Sequence, residues 1–148
     1  MSYNTSSASS WISKLDEADT AALGQSLRKI GADYLKPGTS PGKTRIWYQG
    51  KEAYFDIHGE MEADQIDWFQ LTLRGKSLIW NRQRQLLRTG ATNELDVPPE
   101  VAYYAASKTI KDDAVLDNAF VNLVKSILAT RPDELLLQQM LALLEQKV

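Results

Sequence analysis

Between Arg74 and Arg88 the chain carries five cations, Arg74, Lys76, Arg82, Arg84 and Arg88, and no acid. On a strand, Arg82, Arg84 and Arg88 would share a side, with Trp80 in the same parity. An indole beside guanidiniums can stack on a base or clamp a phosphate, so these arginines form the candidate anion-binding set. The alternative is a charged edge strand that keeps the sheet from pairing with other molecules, its arginines meeting Asp56, Glu62 or Asp67 across the sheet. A net charge of −2 weighs against polyanions, and no nucleic-acid partner is expected.

A second set, Asp56, His58 and Glu60, is spaced by two. An unbroken strand would project an imidazole between two carboxylates, an arrangement suited to a divalent metal or to acid/base work. Gly59 is expected to break that strand. His58 is the only histidine, whereas hydrolytic metal sites commonly use about three protein ligands, often several of them His. Glu60, Glu62, Asp64 and Asp67 make a dense acidic cluster without the spacing of a calcium loop. No G-x-S-x-G, Walker or G-x-G-x-x-G pattern occurs, and without cysteine any nucleophilic triad would need His58 as its base. The expectation is a protein that is not an enzyme, with no cofactor and no metal.

Aromatic residues give a sharper indication. Trp47, Trp68 and Trp80 all fall in alternating runs, and Trp68 has the opposite parity to Phe69, Leu71 and Leu73. If those three face a core, Trp68 faces away from it. Trp and Arg are enriched in binding hot spots, so Trp68, Trp80 and Arg82 are the expected partner contacts.

The elements that must position these residues follow from periodicity. Residues 1–10 are Ser-rich and expected to be a flexible tail, leaving 11–148 as one domain. From Trp11 a helical period runs through Ile12, Leu15, Leu23, Leu27, Ile30 and Tyr34, as one helix or a short one before a longer one. It stops at Lys36-Pro37-Gly38, before Pro41-Gly42. Four to five short strands then occupy about 43–90: Lys43–Gln49, Glu52–His58 after a Gly50-Lys51 turn, Gln65–Arg74, Ser77–Arg82 after Gly75-Lys76, and Gln85–Thr89. Connections so short make the strands antiparallel neighbours, a β-meander, with Phe55 and Ile57 turned to the core. Beyond it, Asp96, Pro98 and Pro99 open a helix to about Ile110, Asp112 and Asp113 open the next, and Thr130-Arg131-Pro132-Asp133 starts a last one to about Gln146. The fold class is α+β: the meander packed by an N-terminal helix and three C-terminal helices.

A chain of 148 residues, 43% hydrophobic, can bury a core without staples, and the absence of cysteine suits a cytoplasmic protein. No run is long and apolar enough to predict a membrane span, and no export signal is read at the N-terminus. The broad leucine stripe at Leu135, Leu136, Leu137, Met140, Leu141, Leu143 and Leu144 suits a deep core position or a homodimer surface. The order helix, meander, helices is similar to that of some bacterial secretion-chaperone-like folds, although the uninterrupted meander departs from their strand-helix-strand order. The functional expectation is an adaptor or chaperone-like module that binds a protein partner through an aromatic and Arg-bearing sheet face or edge. The alternative is a small-molecule or anionic-ligand binder using Arg82, Arg84 and Arg88.

Overall fold

The computed structural model describes residues 7–31, 42–92 and 110–146. Its class is α+β, and its centre is one antiparallel sheet of seven strands arranged in chain order. These are β1 (Arg28–Lys29), β2 (Lys43–Gln49), β3 (Asp56–Glu62), β4 (Gln65–Leu73), β5 (Lys76–Asn81), β6 (Leu86–Thr92) and β7 (Ile110–Asp112). The four to five strands expected from alternation are the long middle ones. The two further strands are edge pieces of two and three residues, too short to show any period. A 3-10 helix (Ser7–Lys14) and α1 (Glu17–Ser26) precede the sheet, and α2 (Asn118–Ala129) and α3 (Leu135–Gln146) follow it.

Several boundaries correct the sequence reading. The expected tail covers residues 1–6, which lie outside the described residues, and Ser7–Ser10, which open the 3-10 helix. The continuous helical period breaks at Asp16, whose side chain accepts from the Asp19 N–H at 2.8 Å while Asp19 returns the bond to the Asp16 N–H at 3.1 Å. That capping box starts α1. The helix expected from Pro98 falls on residues outside the description except for Ile110, which belongs to β7. Asp112 and Asp113 do not open α2; Asp117 caps it, accepting from the Phe120 N–H at 3.1 Å. Thr130 closes α2 and does not start α3.

The turns set which residues face which way. Ala63 and Asp64 both take positive φ, as do Arg74 and Gly75, so two-residue turns whose twist matches the strands join β3 to β4 and β4 to β5. The second aligns Leu73 with Lys76 and therefore Phe69 with Trp80. Gly50 is not the positive-φ turn residue expected: β2 and β3 are joined by a longer loop in which its N–H donates to the Phe55 carbonyl at 2.8 Å. A Cβ on Gly50 would lie 2.1 Å from the Phe55 ring, so close packing requires the glycine. Gly59 does not break β3, which runs through it, and a Cβ there would meet the Trp68 carbonyl at 2.5 Å.

One face of the sheet carries Ile46, Tyr48, Ile57, Phe69, Leu71, Leu78 and Trp80, buried with Phe120, Val124, Ile127, Leu128, Leu137, Met140 and Leu144 of the helices. Phe55 and Ile57 enter this core as the alternation requires. Burial pushes the Tyr48 phenol well above its ordinary range, reinforced by the Glu134 carboxylate that accepts its O–H at 3.3 Å. Helix α1 closes against α2 at Gly24, where a Cβ would stand 1.8 Å from Thr130 Oγ1. Arg131 Nη1 donates to the Gly24 and Leu27 carbonyls at 3.0 and 2.7 Å, satisfying the end of α1 from the α2–α3 corner.

Candidate functional site

With the helices on one face, the ladders define the other. One cross-strand row runs Trp47, His58, Gln70, Ile79, Arg88, and the next runs Arg45, Glu60, Trp68, Asn81, Leu86. Trp47 stacks on His58 with centroids 5.5 Å apart at 19°. Trp68 donates its indole N–H to Glu60 at 3.1 Å, and Glu60 is 2% exposed, so the ring orientation is fixed. Leu86 is 40% exposed at the end of its row. Trp68 is thus on the face away from the described helices, as its parity against Phe69, Leu71 and Leu73 requires.

At one end of this face β4 bulges. Glu60 pairs with Trp68 and Met61 with Ile66, which leaves Asp67 as the extra residue and turns Ile66 into the core. Arg82 holds the bulge: its backbone N–H donates to the Asp67 carbonyl at 2.8 Å, its Nε to the Ile66 carbonyl at 3.2 Å and its Nη2 to Asp67 Oδ1 at 2.5 Å. Lys43 donates to the other carboxylate oxygen. The Lys43 hydrogen bond, partly offset by desolvation and reinforced by Arg82, holds the Asp67 carboxyl below the usual carboxylate range. These groups border a cleft of about 620 Å³ that is also lined by Glu62, Trp68, Asn81, Gln83 and Gln85.

The expected site residues separate. Trp68 and Arg82 share this cleft. Trp80 lies on the opposite face, 5% exposed and stacked on Phe69 at 6.1 Å, where it borders a smaller cavity of about 350 Å³ with Arg82, Gln85, Leu143 and Gln146. Arg82, Arg84 and Arg88 therefore do not gather around Trp80. Arg84 sits exposed in the β5–β6 turn, where its backbone N–H donates to Asn81 Oδ1, while Arg88 pairs with Asp112 at 2.7 Å. Arg74 donates twice to Glu52, at 2.8 and 3.1 Å, and lies over the Trp11 ring. Lys76 is buried against Asp113 and Asp117. The acid-free run is thus largely neutralised by acids from elsewhere in the chain.

Asp56, His58 and Glu60 do project from the same side of the unbroken β3. His58 Nε2 is 3.6 Å from Asp56 Oδ2, and Glu60 is engaged by Trp68. Among the described residues no group of three or more His, Asp and Glu is arranged to hold a metal ion. Sequence reasoning missed the contributions of Lys43, Asn81, Gln83 and Gln85 to the cleft. Their signal was weak, since polar residues at strand ends are ordinary, and only the bulge brings them together. No described helix is long and apolar enough to cross a membrane. No family model matches this chain, and neither the search of curated proteins nor that of solved structures finds a match.

Proposed function

We propose that this chain is a non-enzymatic interaction module, adaptor or chaperone-like, that binds a protein partner through the sheet face turned away from the described helices. The observation that carries this reading is the placement of Trp68, with Trp47, Ile79, Leu86 and Arg88, on the face away from the described helices. Rigid aromatics and arginine are the types that dominate interface energetics, and Trp68 is already oriented by Glu60. A cytoplasmic setting belongs to the same proposal and draws on the absence of cysteine. Anion binding by Arg82, Arg84 and Arg88 is less well supported, because Asp67 and Asp112 already take up two of the three guanidiniums.

The test is capture from a lysate of the producing cell by immobilised wild type, Trp68→Ala, Arg88→Ala and Leu135→Ala. The two sheet-face variants are expected to lose a protein that wild type and the helix variant retain, with circular dichroism unchanged. Equal capture by all four refutes the face assignment.

A further inference from the structure

We infer that the cleft between the bulged end of β4 and the β5–β6 turn is a binding site for a neutral, hydroxyl-rich ligand of the sugar class. This goes beyond the protein-partner reading and stands or falls separately from it. At about 620 Å³ the cleft falls within the roughly 300–1,000 Å³ of small-ligand sites.

Its chemistry narrows the class. Among the described lining residues the charges cancel, Lys43 and Arg82 against Glu62 and Asp67, and both cations already converge on Asp67. A polyanion would gain no net field here and would compete with a carboxylate already in place. A protein anchor residue needs an apolar pocket, and among the described residues the indole of Trp68 is the one hydrophobic side chain in the lining.

What remains is an interleaved set of donors and acceptors. The carboxamides of Asn81 and Gln83 each carry both, Lys43 and Arg82 retain N–H groups beyond those given to Asp67, and Glu62 and Asp67 accept. A hydroxyl is at once donor and acceptor, so it pairs with any of them. The C–H face of a pyranose can lie against the electron-rich face of Trp68, which is held in place by its bond to buried Glu60.

The experiment follows the Trp68 indole N–H and the Gln83 and Gln85 side-chain amides by NMR of the full chain. The probes are glucose, galactose, mannose, N-acetylglucosamine and cellobiose, with phosphate and citrate as a parallel anion arm. At least one sugar is expected to move these resonances saturably while the anions do not. Trp68→Ala should weaken the response of the Gln amides about tenfold, as losing one aromatic contact implies. Gln83→Ala, in the exposed turn, should weaken it without disturbing the fold and keeps the test valid if Trp68→Ala unfolds. Silence across the sugars, a response to anions instead, or a sugar response indifferent to both variants overturns the assignment. None of those results alters protein capture by the sheet face, so the two readings fail separately.

Discussion

Replacing Lys76 with Met should destabilise the protein strongly at neutral pH and less in acid. The side chain is 5% exposed, with its ammonium 2.8 Å from Asp113 and 3.1 Å from Asp117. Thr89 completes the cluster: its O–H donates to Asp113 at 2.7 Å and its oxygen accepts from the Asp117 N–H at 2.9 Å. Desolvation is the largest influence on both Lys76 and Asp113, but the hydrogen bonds and charge attraction together outweigh it. Lys76 is therefore raised and Asp113 lowered. Asp113 thus adds stability that is present above its unfolded value near pH 4 and fades as pH falls through its lower folded value. Lys76 adds stability that is complete below about pH 10 and fades as pH rises through its higher folded value.

At an effective dielectric of about 20 each contact gives roughly 5 kcal/mol of gross attraction, most of it cancelled by desolvation. Removing one partner of a buried pair costs about 3–5 kcal/mol. Both acids retain partial access to water, so the lower end, about 3 kcal/mol, is expected. Met keeps the apolar stem, so packing changes little. Urea unfolding followed by Trp fluorescence should show the midpoint falling by roughly 1.5–2 M at pH 7, taking the slope usual for small proteins. The loss should shrink in acid, where protonation relieves the stranded Asp113 carboxylate. An unchanged midpoint at pH 7, or a loss that does not shrink in acid, refutes this account.

Gly24→Ala should cost about 2 kcal/mol by overpacking, because its Cβ would stand 1.8 Å from Thr130 Oγ1 and 2.8 Å from the Ile127 carbonyl. Adding Thr130→Ala should restore part of that loss in a double-mutant cycle of thermal unfolding. Arg131→Met should cost about 2 kcal/mol, the scale of charged hydrogen bonds lost at the Gly24 and Leu27 carbonyls, and hydrogen exchange should show the last turn of α1 opening first. Leu135 is 73% exposed, so Leu135→Glu should leave stability within about 0.5 kcal/mol. If the chain pairs with itself through its C-terminal helices, the same change should lower the mass measured by light scattering.

The long strands were legible because apolar and polar residues alternate: Phe69, Leu71 and Leu73 are fully buried, while Trp68 and Gln70 between them are only partly so, and Thr72 on their side is buried with its hydroxyl bonded to Ser77, so a register error would expose the whole apolar set. Trp80 was grouped with the arginines through strand parity, but Leu78 shares that parity and is fully buried. The decisive information was the turn. Two positive-φ residues at Arg74-Gly75 set Phe69 opposite Trp80, whereas a turn placed one residue later would have set a different partner. The cleft was not legible, because it depends on the extra residue at Asp67, and neighbouring acids do not reveal which one leaves the ladder. Asp112 and Asp113 resemble a helix start by type, yet they are spent on Arg88 and Lys76.

From β2 to β6 each neighbour in the sheet is also the next strand along the chain, so these hairpins can close one after another over short connections. The clasp of Arg131 on the end of α1 instead joins positions separated by over a hundred residues. Assembly should therefore have two tempos: quick local zippering of the sheet, then slower docking of the helical ends. Changes at that clasp should speed unfolding while leaving the folding rate nearly untouched.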